Sequence, residues 1–330
     1  MKPLNYSKSK YILSKSATTE FIKDSPLFIR LIAFFAPANL KKVSWSIIRA
    51  VLIIGISYII IYPLLLKLSV TFMHTDDLYD PTVIWIPKHL TLENLRVVYT
   101  FMEYPESFLN TVKVVVITTI LQLASCTMVG YGFARFRIPA GKLFFSLVIL
   151  TLLVPPQTIM VPLYFNFRGL NMIDTFWPFV FTSATCMGIR NGLYIYIIRQ
   201  FFRNMPAEIE EAAMIDGAGV FKTFYKVMLP SAIPIMVSVG LFSLVWQWND
   251  TFYVTMFWTN KRILASSLGS IFAEYQQFLT ISQTGIIVNN VVHQMLDNIG
   301  TLMMIAPILI IYIFAQRHFV ESIERSGIVG

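Results

Sequence analysis

Glu208, Glu210 and Glu211 crowd the start of a polar stretch that runs on as EAAMIDGAGVFKTFYKVMLPSAIP, Glu211 to Pro234, between two long hydrophobic segments. Such an island is a handle, and the chemistry it suits is docking. A second candidate lies in WQWND, where Asp250 falls at membrane depth in a hydrophobic run and carries the cost of an ionisable group near lipid. Two readings of that segment stand side by side. Trp248, Asn249 and Asp250 line a polar route for a solute, with an indole face suited to stacking on a sugar ring, or Asp250 is a hydrogen-bonded lock between helices or simply lies near the outer water. Asp297 near the outer end of the last span, and Lys67 and Lys113 at the outer ends of theirs, need no more than access to the interface. Arg190 either snorkels toward the cytoplasm or pairs internally.

Catalytic constellations are lacking. There is no GxxxxGK[ST] phosphate loop, and GVFKTFYK has glycine and lysine outside that frame. His74, His89, His293 and His318 show no metal-ligand spacing, and no Ser/His/Asp or Cys/His set stands on a recognisable scaffold. The expectation is a chain that is not an enzyme, with no metal site and no cofactor of its own.

The elements that must position these residues are membrane helices. With 330 residues, 56% hydrophobic, 13% charged and a mean hydropathy of +0.64, the chain is too apolar for a soluble core. Runs of about 20 residues, enough to cross some 30 Å of hydrocarbon, recur near 47–71, 108–133, 143–165, 177–198, 231–256 and 294–316. The fold expected is therefore all-α with six transmembrane helices. Residues 1–46 form a basic tail, 47–316 the membrane domain with its island loop at 199–230, and 317–330 a second tail. In the first tail, Phe28, Leu31, Ile32 and Phe35 recur at helical spacing, which suits an interfacial amphipathic helix over 25–42 or a plain lead-in. Pro63, Pro155-Pro156, Pro162 and Pro307 sit inside spans and favour kinks. Cys126 and Cys186 fall in spans as small packing residues, without a disulfide.

Charge sets the orientation. Nine Lys and Arg in residues 1–49, three in 134–142, four in 199–230 and two in 317–330 stand against five in the opposite loops. This excess places both termini in the cytoplasm, so the net charge of +8 is topogenic and gives no support for a nucleic-acid partner. The partner it does imply is membrane lipid.

Within the island, Asn204 is expected to cap a helix whose first turn holds Pro206 and the three glutamates. Ile209, Ala212 and Ala213 give that helix one smooth face. Asp216-Gly217-Ala218-Gly219 breaks it, and Val220, Phe224 and Val227 mark a second amphipathic piece. Pro230 and Pro234 return the chain to the bilayer.

The order Glu211-Ala212-Ala213, Asp216-Gly217-Ala218, Phe224, Leu229-Pro230 and Pro234 closely resembles the EAA loop of ABC-transporter permeases that work with a solute-binding protein. WIPKHLTLENLRVVY, SFLNTVKVVV, VPPQTIMVPLY, IIRQFFRNMPAEIEEAA, WND and the terminal QRHFVESIERSGIVG resemble the carbohydrate-importing branch, in particular the maltose-type second permease. The resemblance covers most of residues 50–330, and the first 45 are longer than the family's pattern. It implies that the loop is a coupling helix seated in an ATPase cleft, with Glu211 pairing a basic residue and Gly217 supplying the turn. ATP and Mg would be held by a separate ATP-binding subunit dimer. A second permease would complete a heterodimeric pore, and an extracytoplasmic solute-binding protein would face residues 257–292. Ser326 to Gly330 would reach the ATPase interface. The implied cargo is a sugar or oligosaccharide, and the setting a bacterial or archaeal cell membrane. The alternatives are a permease for a non-sugar solute and an ion-coupled secondary transporter, which would show inverted repeats around buried charges.

Overall fold

The structure, a computed structural model, describes residues 37–282 and 289–327, with side chains from 43 to 316 within those ranges. The candidate amphipathic segment 25–42 lies largely outside the described residues, as do 283–288 in the outer segment and the last residues of the terminal motif. All regular structure among the described residues is helical, apart from one isolated antiparallel bridge between Met73 and Leu90.

The chain divides into residues 1–65 and 66–330. In the first unit, the helix that spans Pro37–Phe72 contributes a run exposed on every side, with Ile54 68% and Ile59 71% open. Apolar all round and unpacked within its unit, this is a surface for lipid.

In the second unit the organising element is the helix Tyr104–Arg135, against which Trp177–Ala184, Asn191–Asn204 and Ile233–Trp248 all pack. Small residues allow the closest approach: a Cβ on Gly130 would lie 2.8 Å from Ile198 Cγ2, and such sites let membrane helices gain dispersion contacts where lipid supplies no hydrophobic drive. The packing forms two cores. One, around Trp248, Phe257, Leu264 and Leu296, includes the long helix Asn290–Gly327 and the helices Glu93–Phe101 and Leu264–Ile281. The other gathers Tyr131, Tyr194, Ile198, Phe202 and Met228. Buried polar side chains tie the helices together: Gln122 donates to the Ile189 carbonyl at 3.0 Å and accepts from Ser243 at 2.5 Å and Gln247 at 3.3 Å.

Among the described residues, three helices are long and apolar enough to span a bilayer, Val43–Phe72, Tyr104–Arg135 and Asn290–Gln316, and a fourth span exists if the pair Val220–Ser231 and Ile233–Trp248, bent by 72°, counts as one. The first, second and sixth expected spans are therefore continuous helices. The third and fourth are not. The run 143–165 divides into Gly141–Leu150 and Pro156–Gly169, because Pro155-Pro156 ends one helix and starts the next at an allowed position. The run 177–198 divides into Trp177–Ala184 and Asn191–Asn204, with Cys186 and Arg190 at φ 60° and 59° between them. Pro63 and Pro307, by contrast, lie within unbroken helices.

Candidate functional site

The polar island forms a hairpin. Asn204 does not cap its helix as expected; it is the last residue of the preceding helix, and Ala207 precedes Glu208–Ile215 without a side-chain cap. The three glutamates occupy the first turn as expected and face the positive end of the dipole. They then divide their labour. Glu210 is 8% exposed, accepts the Tyr131 hydroxyl at 2.5 Å and lies 3.4 Å from Arg135 Nε. Arg135 also donates to the Met205 carbonyl at 2.9 Å. Tyr131 is wedged among Phe224, Phe202 and Phe136 at ring separations of 4.7, 5.2 and 5.6 Å. One carboxylate thus fastens the hairpin to the end of the central helix, while Glu211 stays exposed.

The turn follows from backbone chemistry. Gly217 adopts φ 79°, its N–H donates to Met214 O, and Ala218 N–H donates to Ala213 O, each at 3.0 Å. This is the double closure that satisfies helix-end carbonyls around a left-handed residue, for which glycine has no steric penalty. Asp216 is exposed, and Ala212 is more open than Ala213 on the smooth face.

The second piece departs from the expected α-helical stripe. Val220–Thr223 is α-helical, but Phe224–Met228 is a π-helical turn and Leu229–Ser231 resumes the α form, with Pro230 exposed. The wider turn shifts the register: Thr223 and Met228 are fully buried, Phe224, Val227 and Leu229 are half-buried, and Val220 is exposed. What the hairpin displays is apolar, with Ile215 86%, Phe221 87% and Tyr225 70% exposed. An apolar tip rimmed by carboxylates and lysines is built to be covered.

The WQWND segment is organised in the opposite sense. Trp248 is 2% exposed; its indole N–H donates to the Met304 carbonyl at 3.0 Å and its ring meets Phe108 edge-on. The Trp248 ring is therefore closed off in this conformation, and its hydrogen bond ties two helices together. Asn249 is exposed and donates to Val245 O at 2.8 Å. Asp250 accepts from the N–H groups of Phe252 and Tyr253 at 3.1 and 3.3 Å, starting the short helix Phe252–Phe257. Asp297 lies 3.8 Å from Lys67 Nζ, which also donates to Asn298 at 3.0 Å. Arg190 meets no carboxylate among the described residues; it stacks on Trp246, 4.4 Å from the ring centre.

Away from the hairpin, Asp174 organises a loop by accepting from Thr259 N–H, Thr259 Oγ and Asn260 N–H at 2.6, 2.7 and 3.1 Å. These donors hold its carboxyl below the usual carboxylate range. Arg262 ion-pairs with Glu274 at 2.7 Å, which raises the guanidinium further. His74 and His89 approach across the Met73–Leu90 bridge, yet no cluster of three metal-ligating side chains exists among the described residues.

Sequence reasoning missed Glu210, Tyr131 and Arg135. A signal was present in Arg135 at the end of a long span, but its partner lies some 75 residues downstream.

The chain is similar to several ABC transporter permeases. It is 27% identical over 274 residues to the probable ABC transporter permease protein YurM of Bacillus subtilis, covering 82% of this chain and 84% of that one. It is 27% identical over 301 residues to the arabinooligosaccharides transport system permease protein AraQ of Halalkalibacterium halodurans, covering 88% and 100%, and 27% identical over 248 residues to the melibiose/raffinose/stachyose import permease protein MelC of B. subtilis, covering 74% and 84%. In structure it resembles a chain of a bacterial ABC transporter involved in the import of the acidic polysaccharide alginate, with a TM-score of 0.65 at 22% identity, over 87% of this chain and 99% of that one; at that identity the likeness establishes the fold. Residues 127–324, which contain the hairpin, its Tyr131 and Arg135 anchors and the WQWND segment, match the family described as binding-protein-dependent transport system inner membrane component. This chain belongs to that family.

Proposed function

We propose that this permease subunit imports a sugar or oligosaccharide, forming half of a heterodimeric pore with a second permease. A separate ATP-binding subunit dimer, holding ATP and Mg, drives it through the hairpin, and an extracytoplasmic solute-binding protein delivers the cargo. The observation that carries the reading is the hairpin itself: fastened from behind by Glu210 and turned at Gly217, it leaves Ile215 and Phe221 open with Glu211 at the rim. Ala212, Ala213, Asp216, Ala218, Phe224, Leu229 and Pro230 shape the same docking surface. Relatives whose names specify arabino-oligosaccharides and melibiose, raffinose and stachyose support a saccharide cargo. The charge asymmetry of the loops supports cytoplasmic termini, and the two broken helix pairs would complete six passes.

Asn249 and Asp250 remain candidates for the solute route, since Asn249 is exposed in this conformation; Trp248 would join them only after its helix moved. The test reconstitutes the chain with its second permease, ATPase and binding protein. Glu211→Ala and Gly217→Val should each uncouple ATP hydrolysis from sugar uptake. Uptake that proceeds without ATP on an ion gradient would overturn the proposal.

A further inference from the structure

The break between Trp177–Ala184 and Asn191–Asn204 is clasped by one turn of the central helix Tyr104–Arg135. Gln122 donates to the Ile189 carbonyl at 3.0 Å, Ser125 Oγ to the Ser183 carbonyl at 2.8 Å and Cys126 Sγ to the Asn191 carbonyl at 3.8 Å. Backbone that leaves the helical form at membrane depth needs such donors, because lipid offers none. The clasp holds the chain to the central helix on both sides of Cys186.

Cys186 stands where the backbone would suit a different residue. The helix Trp177–Ala184 ends in a closure in which Met187 N–H donates to the Thr182 carbonyl at 2.8 Å, across a residue at φ 60°. Glycine takes that place without steric penalty, and any side chain there strains the backbone. Here the side chain is a thiol, and it meets the thiol of Cys126 as a hydrogen-bond partner. These are the two cysteines of the chain, brought together from distant parts of the sequence, and both are free in this structure.

The two differ in access. Cys126 is fully buried, whereas Cys186 is partly exposed and lines a cavity of about 310 Å³ between the broken helices. A small neutral oxidant can reach Cys186 without reaching Cys126. A sulfur oxidised at Cys186 then has a second thiol beside it, the arrangement of a redox-sensing cysteine and its resolving partner.

We propose that Cys126 and Cys186 form a disulfide when a peroxide enters this cavity, and that the bond locks the helix break to the central helix. The Cys186 sulfur attacks one peroxide oxygen, the O–O bond breaks, one water leaves and Cys186 becomes a sulfenic acid. The Cys126 sulfur then displaces the remaining oxygen as a second water and the S–S bond forms. Two thiols and one peroxide thus give one disulfide and two waters, with two electrons passing from sulfur to oxygen. The bond replaces a contact that can open with one that cannot. Its effect on transport rests on the proposed coupling of these helices to the ATPase; its formation does not.

The test treats the complete permease–ATPase complex in nanodiscs with hydrogen peroxide and reads two things, cross-linked peptides by mass spectrometry and the rate of ATP hydrolysis. The wild type should yield a peptide joining Cys126 to Cys186, with hydrolysis largely lost and restored by dithiothreitol. Cys126→Ser keeps a donor for the Asn191 carbonyl but cannot resolve the oxidised sulfur, so Cys186 should accumulate as a sulfenic acid that dimedone traps, to an extent not seen in the wild type. Cys186→Gly suits the left-handed backbone and should leave hydrolysis indifferent to peroxide, which decides the matter if Cys126→Ser fails to assemble. No joined peptide in the wild type, or inhibition unchanged in Cys186→Gly, would overturn the inference. A joined peptide with undiminished hydrolysis would overturn the lock while leaving the proposed function standing. A reduced complex that hydrolyses no ATP would count against the proposed coupling, and the joined peptide would still decide the disulfide.

Discussion

The hairpin and the WQWND segment are mirror images in how they use their side chains. The hairpin is polar in composition, yet it buries a carboxylate, Glu210, and displays Ile215 and Phe221. The WQWND segment continues a hydrophobic run, yet it buries one of its two tryptophans, Trp248, on a hydrogen bond and leaves Trp246 and Asn249 open. In both, the residue that attracts notice by its type is separate from the one that holds the element in place. Glu211 is exposed and Asp250 caps its own short helix, while Glu210 and Trp248 hold to neighbouring helices.

That contrast breaks first at Trp248. Trp248→Ala should cost about 3 kcal/mol, the low end for a buried aromatic, since lipid weakens the transfer part of the loss; a large fall in the thermal midpoint of the detergent-purified complex would be the sign. A variant as stable as wild type would return the indole to the solute route. Next, Glu210→Ala leaves Arg135 and the Tyr131 hydroxyl without their partner and should destabilise the hairpin by about 2 kcal/mol, with loss of ATPase co-purification. Glu211→Ala should leave the thermal midpoint within error while uncoupling transport, so equal destabilisation by both variants would erase the distinction between anchor and display.

Gly217→Val should cost about 1–2 kcal/mol through its left-handed backbone, read as faster proteolysis within 208–231. The smallest effect belongs to the loop held by Asp174. Because Asp174 titrates below its unfolded value, its contribution is fully present above the ordinary carboxylate range and is lost as pH falls through the depressed folded value. Protection of the Thr259 and Asn260 amides, relative to their intrinsic exchange rates, should thus hold at neutral pH and fall as pH drops below the ordinary carboxylate range, and Asp174→Asn should remove that pH-dependent loss of protection.

Much of this was legible in the sequence because it depended on local chemistry. Gly217 announced its turn by sitting after an acidic-headed helix, and the Pro155-Pro156 pair marked a kink. Arg190 with Gly188 and Gly192 made the fourth span irregular on inspection, but nothing local said that the helix would stop there and restart. Neighbouring glutamates cannot be told apart without knowing where Tyr131 and Arg135 end up, and that is a property of helix crossing. The π turn at Phe224–Met228 was hidden for a similar reason: its wider register satisfies Tyr131 and Met228 against the inner core, whereas the sequence offers an ordinary α-helical stripe.

The 72° bend between Val220–Ser231 and Ile233–Trp248 has the shape of a bell crank. Under the proposed coupling, a thrust along the first arm would reach the second at a steep angle and would tilt Ile233–Trp248 about its base. The far end of that lever is where Trp248 holds the last span through Met304.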